Sequence, residues 1–147
     1  MRSKLLHEVD GLRTFVVVMD KGDEAAAELA TFAREQEITG AGLTAVGAAS
    51  EGTLGYFDPQ EKAYQDIPLV RQAEVLSFVG DIAVRGTSPA LHAHAVFGLR
   101  DGSTIGGHVR RLSVWPTLEV IVTETPTHLT KRVDEETGLA LIRPDAE

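Results

Sequence analysis

The sequence predicts an α+β fold in which one main helix packs against a curved β-sheet. Of its 147 residues, 43% are hydrophobic and 24% are charged, a composition typical of a single globular domain. One segment alone has the composition of a long helix, whereas the chain beyond Gly40 shows apolar β-type runs interrupted by glycine. Glycine within a strand marks a bend or a close approach of two backbones, and the chain has 14 glycines. We therefore expect one domain over residues 1–147, with residues 143–147 as a flexible tail.

The first predicted elements are a strand and a helix. Residues Thr14 to Asp20 are mostly apolar and β-branched, and Lys21-Gly22-Asp23 then ends the strand and supplies Asp23 as a helix cap. The run that starts at Asp23, DEAAAELATFAREQE, predicts the main helix. Its apolar stripe at helical spacing consists of Ala25, Leu29, Phe32 and Ala33. Strands are expected over residues 40–57, 61–70, 73–85, 90–99, 112–123 and 128–142.

Charge and composition exclude several classes of function. Fourteen Lys and Arg residues against 22 Asp and Glu give a formal net charge of -8, which repels a phosphate backbone and disfavours nucleic acid as a partner. The chain has no cysteine, so it has no disulfide, no thiolate nucleophile and no Cys-ligated metal. The longest apolar run, Phe15 to Met19, is far too short to span a bilayer, and the N-terminus lacks the apolar stretch of a signal peptide. We expect a soluble cytoplasmic protein without membrane contact.

Three of the five histidines form the clearest chemical signal in the sequence. His92 and His94 alternate with Ala93 in a predicted strand, so both rings project from one face while the apolar neighbours face the core. His108 follows the turn signal Asp101-Gly102, and the next strand can return it to the same patch. Three neutral imidazoles without a thiolate suit zinc or a similar divalent ion, with a fourth position for water, substrate or a carboxylate.

Other interpretations of the histidines stay open at this point. His92 and His94 are also compatible with a subunit interface or with hydrogen bonds to neighbouring backbone. His7 and His128 have no spaced partner, and we place both outside the site. No G-x-S-x-G motif occurs, which argues against a serine hydrolase.

Two glutamates lie within apolar strand patterns, where a charged group must reach solvent, a partner or a cation. Glu119, in LEVIV, is expected to face water. Glu74, in AEVL, is equally compatible with an exposed position and with a role at the histidines. If the protein is an enzyme, Glu74 is the candidate catalytic residue, as a proton acceptor or a further metal ligand.

These motifs resemble a known family over nearly the whole chain. The segments LHAHAVFG, IGGHV and PTLEVIVTE resemble the signature of the PPC (plants and prokaryotes conserved) domain family, and EVLSFVG is similar to its Glu-Ile-Leu-Ser segment. The resemblance implies a curved, mostly antiparallel sheet packed with one main helix, assembled as a homotrimer. It also implies that His92, His94 and His108 form a metal site, as the matching residues of prokaryotic members are thought to do.

The DNA-binding segment of plant members has no counterpart in this chain. Those members carry an AT-hook with an Arg-Gly-Arg-Pro core, whereas the adjacent basic pairs here are Arg110-Arg111 and Lys131-Arg132. The leading hypothesis is a trimeric metal-binding protein, with zinc as the expected ion, that presents a histidine-lined pocket to a small molecule. A DNA-binding or regulatory module is the alternative that the family suggests, and a structural trimer whose histidines bind nothing is a third.

Overall fold

The computed structural model describes residues 1–144, which form one α-helix and nine β-strands. The helix, α1, spans Ala25–Glu35. The strands are β1 (Arg2–Val9), β2 (Leu12–Met19), β3 (Gly40–Asp58), β4 (Ala63–Leu69), β5 (Ala73–Arg85), β6 (Ser88–Gly98), β7 (Thr104–Glu124), β8 (Thr130–Val133) and β9 (Ala140–Ile142). This confirms the α+β class with one main helix. Residues 145–147 of the predicted tail lie outside the described part of the chain.

The strands pair in one sheet whose main order is β1-β2-β7-β3-β5-β8-β9, with β4 added on β3 and with β6 pairing with both β5 and β7. The pairings are antiparallel except for a short parallel one between β5 and β8. The first half of β7 pairs with β6 and the end of β3, and its second half pairs with β2 and the start of β3. Register shifts along the β3–β7 pairing accompany this change of partner. The sheet is therefore bent, and the β6–β7 hairpin lies beside β5.

The helix packs against β6 and β7 and is fixed at its start by one carboxylate. Glu24 is the N-cap, and its side chain accepts hydrogen bonds from the backbone N–H groups of Ala26 and Ala27. The same carboxylate accepts a 2.9 Å hydrogen bond from the N–H of Leu112 on β7, which ties the helix to the sheet. Asp23, the predicted cap, instead accepts a hydrogen bond from the backbone N–H of Asp20 and pairs with the N-terminal ammonium group. The cap is thus displaced by one residue.

The core forms between the apolar stripe of α1 and the inner face of the sheet. The four stripe residues predicted from the sequence are all buried. Phe32 packs edge-to-face on Phe15 of β2, with ring centroids 5.2 Å apart. None of the helical structure in residues 1–144 is long and apolar enough to cross a membrane.

Most strand predictions are confirmed, with three differences. The first strand, β1, was not predicted, because its side chains are exposed and lack alternation. β7 begins at Thr104 rather than at residue 112. The added segment contains glycines at which the strands pack closely, because a Cβ on Gly107 would lie only 2.8 Å from the carbonyl oxygen of Gly55. The run predicted over 128–142 divides into β8 and β9 around a turn in which Asp134 accepts hydrogen bonds from Thr137.

Candidate metal centre

The three candidate histidines lie on the hairpin formed by β6 and β7. On β6, Ala93 and Ala95 are buried in the core, so His92 and His94 project from the outer face, as the alternation predicts. His108 lies on β7, where its Cα is paired with that of His94 in the antiparallel register. The predicted return of His108 to the patch formed by the other two is therefore confirmed.

The three imidazole rings are close enough for their nitrogens to share one ion. The ring centroids lie 5.1 to 5.5 Å apart, and one nitrogen of each ring lies within 4.8 Å of the other two. The Nε2 atoms of His92 and His94 are 3.2 Å apart. Two nitrogens bound tetrahedrally to zinc would lie roughly 3.3 Å apart, given the usual bond lengths. The Nε2 atoms of His92 and His94 therefore have the spacing of two zinc ligands. A hydrogen bond between the two rings would have the same spacing.

His108 lies between Tyr64 and the other two rings. Tyr64 of β4 stacks on it, with ring centroids 4.7 Å apart and 24° between the planes. Its Nδ1 is buried and has no hydrogen-bond partner in the described part of the chain, a rare state for a buried polar atom. Burial, followed by the charges of His92 and His94, lowers the pKa of His108 to about 4. The ring is therefore neutral at pH 7, the form in which imidazole binds a metal.

Burial also lowers the pKa of His94, and the neighbouring His92 adds to the effect. A group of imidazoles that resist protonation in this way keeps its nitrogen lone pairs available. The three residues thus fit a divalent cation in donor type and in spacing, and the lowered pKa values of His94 and His108 favour their metal-binding neutral form.

The carboxylate of Asp81 faces the Nδ1 atom of His92. The two residues are paired across β5 and β6, and Asp81 Oδ2 lies 3.3 Å from His92 Nδ1. Asp81 Oδ1 lies 2.6 Å from Nζ of Lys131, whose side chain is only 3% exposed. Burial raises the pKa of Asp81, but its contacts with His92 and Lys131 outweigh burial, and the net pKa is below the usual value. The charged carboxylate favours a proton on His92 Nδ1, which leaves Nε2 free to bind a metal.

A cavity of about 220 Å³ opens beside the histidines. His92 and His108 form one wall of it. The parallel pairing of β5 with β8 places Arg85 opposite Lys131, and both cationic residues line the cavity. Its apolar lining includes Tyr64, Leu91, Leu139 and Leu141.

The remaining candidate residues lie apart from this cluster. Glu74 is exposed near the start of β5, and the group of described residues that could hold an ion does not include it. Glu119 is exposed on β7, as expected. His7 is exposed on β1, and His128 Nδ1 lies 2.6 Å from the hydroxyl oxygen of Thr39. The structure therefore brings together the three histidines and leaves Glu74 outside.

Sequence reasoning missed Asp81, Lys131, Arg85 and Tyr64. Asp81 carried a usable signal, because an acid within an apolar strand must find a partner, which is the argument applied above to Glu74. Lys131 gave no such signal: it was treated as half of a basic pair, yet it is only 5% exposed because β8 lies against β5.

Known proteins share this fold. The model of the Plants and Prokaryotes Conserved (PCC, also written PPC) domain matches residues 6–126. A plant- and prokaryote-conserved protein from Pyrococcus horikoshii is similar to this chain, with a TM-score of 0.84 and 24% identity, over 99% of this chain and 97% of its own. A metal-containing protein from Archaeoglobus fulgidus gives a TM-score of 0.83 and 29% identity, over 97% of this chain and 99% of its own.

A third solved structure, from Ralstonia eutropha and described as a "Putative DNA-binding protein", gives a TM-score of 0.84 and 28% identity, over 95% of each chain. No match to a curated protein was found. The structural similarities confirm the fold that the sequence predicts.

Proposed function

This chain belongs to the Plants and Prokaryotes Conserved domain family, and on that basis we propose that it is a homotrimeric metal-binding protein whose histidine-lined pocket receives a small molecule. Zinc is the metal we expect, because the donors are three neutral imidazoles and the chain has no thiolate. The description of the relative from Archaeoglobus fulgidus as metal-containing supports this proposal.

The observation that carries the proposal is the convergence of the three rings: one nitrogen of each lies within 4.8 Å of the other two, and the Nε2 atoms of His92 and His94 are 3.2 Å apart. Neutral imidazole nitrogens that converge in this way are a donor set that suits one divalent cation. His92, His94 and His108 would hold the ion, which would polarise an oxygen of a bound molecule or lower the pKa of bound water.

The surrounding residues orient the imidazole rings of His92 and His108. The carboxylate of Asp81 fixes the tautomer and the orientation of His92, and the buried ammonium group of Lys131 keeps that carboxylate charged and in place. Tyr64 covers one face of His108 and limits the rotation of its ring. The cavity gives a small molecule access to His92 and His108.

The metal content of protein purified without added metal tests the proposal. We expect about one zinc per chain by inductively coupled plasma mass spectrometry, since the three histidines form one site. His92→Ala, His94→Ala and His108→Ala should each lose most of the zinc and keep the circular dichroism spectrum of the wild type. His128→Ala is the matched control and should keep its zinc. Full zinc in all three site variants would show that the histidines are structural.

An apolar row on the outer face of the sheet supports the trimer. The strand registers align Val16, Ile121, Thr44 and Val79 across β2, β7, β3 and β5. Ile121 is 41% exposed and Val79 is 49% exposed, and Val46 beside this row is 60% exposed. A cluster of exposed apolar side chains on a small domain is typical of a subunit interface, and a second and third copy of the chain would cover it. Val79 is paired with His94, so the interface would adjoin the metal centre.

Light scattering coupled to size-exclusion chromatography tests the assembly. The wild type should have three times the chain mass of 15.8 kDa. Ile121→Glu should shift the protein towards the monomer, because it places a charge in the apolar row. Val133→Glu, on the exposed side of β8, is the control and should remain trimeric. A monomeric wild type would refute the trimer and leave the metal proposal standing.

The alternative DNA-binding function receives little support from the basic residues. Arg110 pairs with Asp66, and Arg111 pairs with Glu51 at 2.7 Å. Lys131 is buried against Asp81. Pairing and burial therefore remove most of the positive charge that the two basic pairs offered to a phosphate backbone.

A further inference from the structure

We propose that the cavity beside the histidines binds a small organic carboxylate, and that Arg85 is the residue that selects its negative charge. The inference rests on the proposed metal site and goes further by naming the ligand class. It is carried by the charge, the size and the apolar lining of the cavity.

The lining of the cavity has a charge opposite to that of the whole chain. The chain has 22 acidic residues and a net charge of -8, yet no acidic residue among those described lines this cavity. Its charged lining residues are Arg85 and Lys131. Asp81 neutralises Lys131 at 2.6 Å. Among the ion pairs of the described residues, none within 4 Å involves Arg85. Arg85 therefore provides the uncompensated charge of the cavity.

A bound ion would increase this positive charge. The three ligands are neutral imidazoles, so none of them offsets the charge of a divalent cation. The ion and Arg85 together would give the site a formal charge of about +3, since Lys131 and Asp81 cancel. A site with this charge favours an anion over a neutral molecule.

The cavity also limits the size and the character of the anion. Its volume is about 220 Å³, below the range of roughly 300–1,000 Å³ that is usual for drug-sized ligands. The side chains of Leu91, Leu139 and Leu141, with the ring of Tyr64, offer contact to a short hydrocarbon part. A small carboxylate has both an anionic group, which a guanidinium binds through two hydrogen bonds, and an apolar body. Inorganic phosphate lacks the apolar body.

The test uses butyrate as the probe, with butyramide as its neutral isostere and inorganic phosphate as an anion without an apolar part. Binding is measured by NMR titration of the full-length, zinc-loaded protein, and the zinc content of each sample is determined in parallel. We expect saturable butyrate binding, at least 10-fold weaker binding of butyramide and phosphate, and about 10-fold weaker butyrate binding by Arg85→Gln. Arg132→Gln removes an equal charge from the neighbouring exposed position of β8 and should bind butyrate like the wild type.

The outcomes separate this inference from the metal proposal. A protein with one zinc per chain that binds no butyrate, or binds it equally well after Arg85→Gln, refutes the carboxylate site and leaves the metal site intact. Equal binding of phosphate or butyramide also refutes it. A protein without zinc that still binds butyrate through Arg85 supports the anion site while refuting the metal proposal. A protein with neither zinc nor butyrate binding refutes both.

Discussion

Two partly buried ion pairs in this molecule each join a carboxylate to a basic side chain, but their surroundings differ. In the first, Glu124 of β7 accepts hydrogen bonds from the backbone N–H, Nε and Nη2 of Arg13 on β2, at 2.6 to 2.9 Å. Arg13 also donates a 2.8 Å hydrogen bond to the carbonyl oxygen of Gln36, just beyond α1. In the second, Asp81 of β5 faces Lys131 of β8 on one side and His92 on the other, and its Oδ1 lacks a well-formed hydrogen bond.

The difference separates a pair that joins structural elements from a pair that adjoins the candidate metal centre. Both carboxylate oxygens of Glu124 are occupied, so this pair fixes β2, β7 and the end of α1 to one another. Asp81 is held less completely by protein groups, and its Oδ2 atom faces His92, which lines the cavity. We therefore expect changes at Glu124 to affect the stability of the fold, and changes at Asp81 to affect metal binding as well.

The largest effect is expected from Lys131→Met. This change removes the only ammonium group within 4 Å of Asp81 among the described residues and leaves a half-buried carboxylate without its cation. Breaking such a pair should lower the free energy of unfolding by about 3 kcal/mol, the low end of the range for buried pairs, because the Asp81 side chain is 24% exposed. Urea unfolding of the metal-free protein measures it. Arg132→Met, at the exposed neighbour, should change stability by less than about 0.5 kcal/mol.

The second prediction concerns Asp81→Asn, which keeps the size of the side chain and removes its charge. Losing the carboxylate that orients His92 should weaken zinc binding by about 10- to 100-fold, as measured by competition with a chelating dye.

Glu124→Gln is the matched change in the other pair. It should lower the free energy of unfolding by about 2 kcal/mol, because it weakens charge-assisted hydrogen bonds to Arg13, and it should leave zinc affinity unchanged. Equal zinc affinity in both variants would contradict the distinction between the two pairs.

The third and smallest expected effect is on the pH dependence of the free energy of unfolding, which should differ between the histidine cluster and the Arg13–Glu124 pair. The pKa of folded His108 is about 4, whereas that of an unfolded histidine is about 6.5, so the unfolded chain takes up a proton first as the pH falls. The metal-free protein should therefore lose stability progressively from pH 6.5 towards pH 4, with His94 contributing in the same direction. Urea unfolding in the presence of a chelator, repeated from pH 7 to pH 5, measures the slope.

The Arg13–Glu124 pair should act in a different pH range. Hydrogen bonds from Arg13 lower the pKa of Glu124 below the ordinary value of 4.5. The stability that this pair provides is therefore present above pH 4.5 and is lost only as the pH falls below that value. Glu124→Gln should leave the slope between pH 7 and pH 5 unchanged, whereas His108→Gln should flatten it. The same slope in His108→Gln and in the wild type would show that His108 is not the group that titrates.

The sequence predicts the hairpin of the site better than its surroundings. Alternation along one strand is enough to place His92 and His94 on one face, and a turn signal is enough to return His108. These are local properties of the chain. The contact between Asp81 and Lys131 depends on the parallel pairing of β5 with a four-residue strand near the other end of the chain, and short strands of this kind carry almost no pattern.

Glycine accounts for another part of what the sequence did not predict. The predicted strand begins at residue 112, whereas β7 already includes Gly106 and Gly107, where a Cβ would lie 3.1 Å or less from a carbonyl oxygen of a neighbouring strand. Glycine is frequent in turns, but at these two positions the absence of a side chain allows neighbouring strands to approach closely. The displaced helix cap has a comparable cause, because the Glu24 carboxylate is held by a tertiary hydrogen bond from Leu112 that local sequence does not reveal.

The position of β8 and β9 divides the site between two parts of the chain. The segment that matches the family model ends at residue 126 and contains all three histidines, whereas Lys131, Leu139 and Leu141 lie beyond it. The three histidines thus lie in the segment matched to the family, whereas part of the cavity lining lies in the hairpin of β8 and β9. If the three histidines hold an ion, as proposed, changes confined to that hairpin would alter the lining of the cavity and leave the three imidazoles in place.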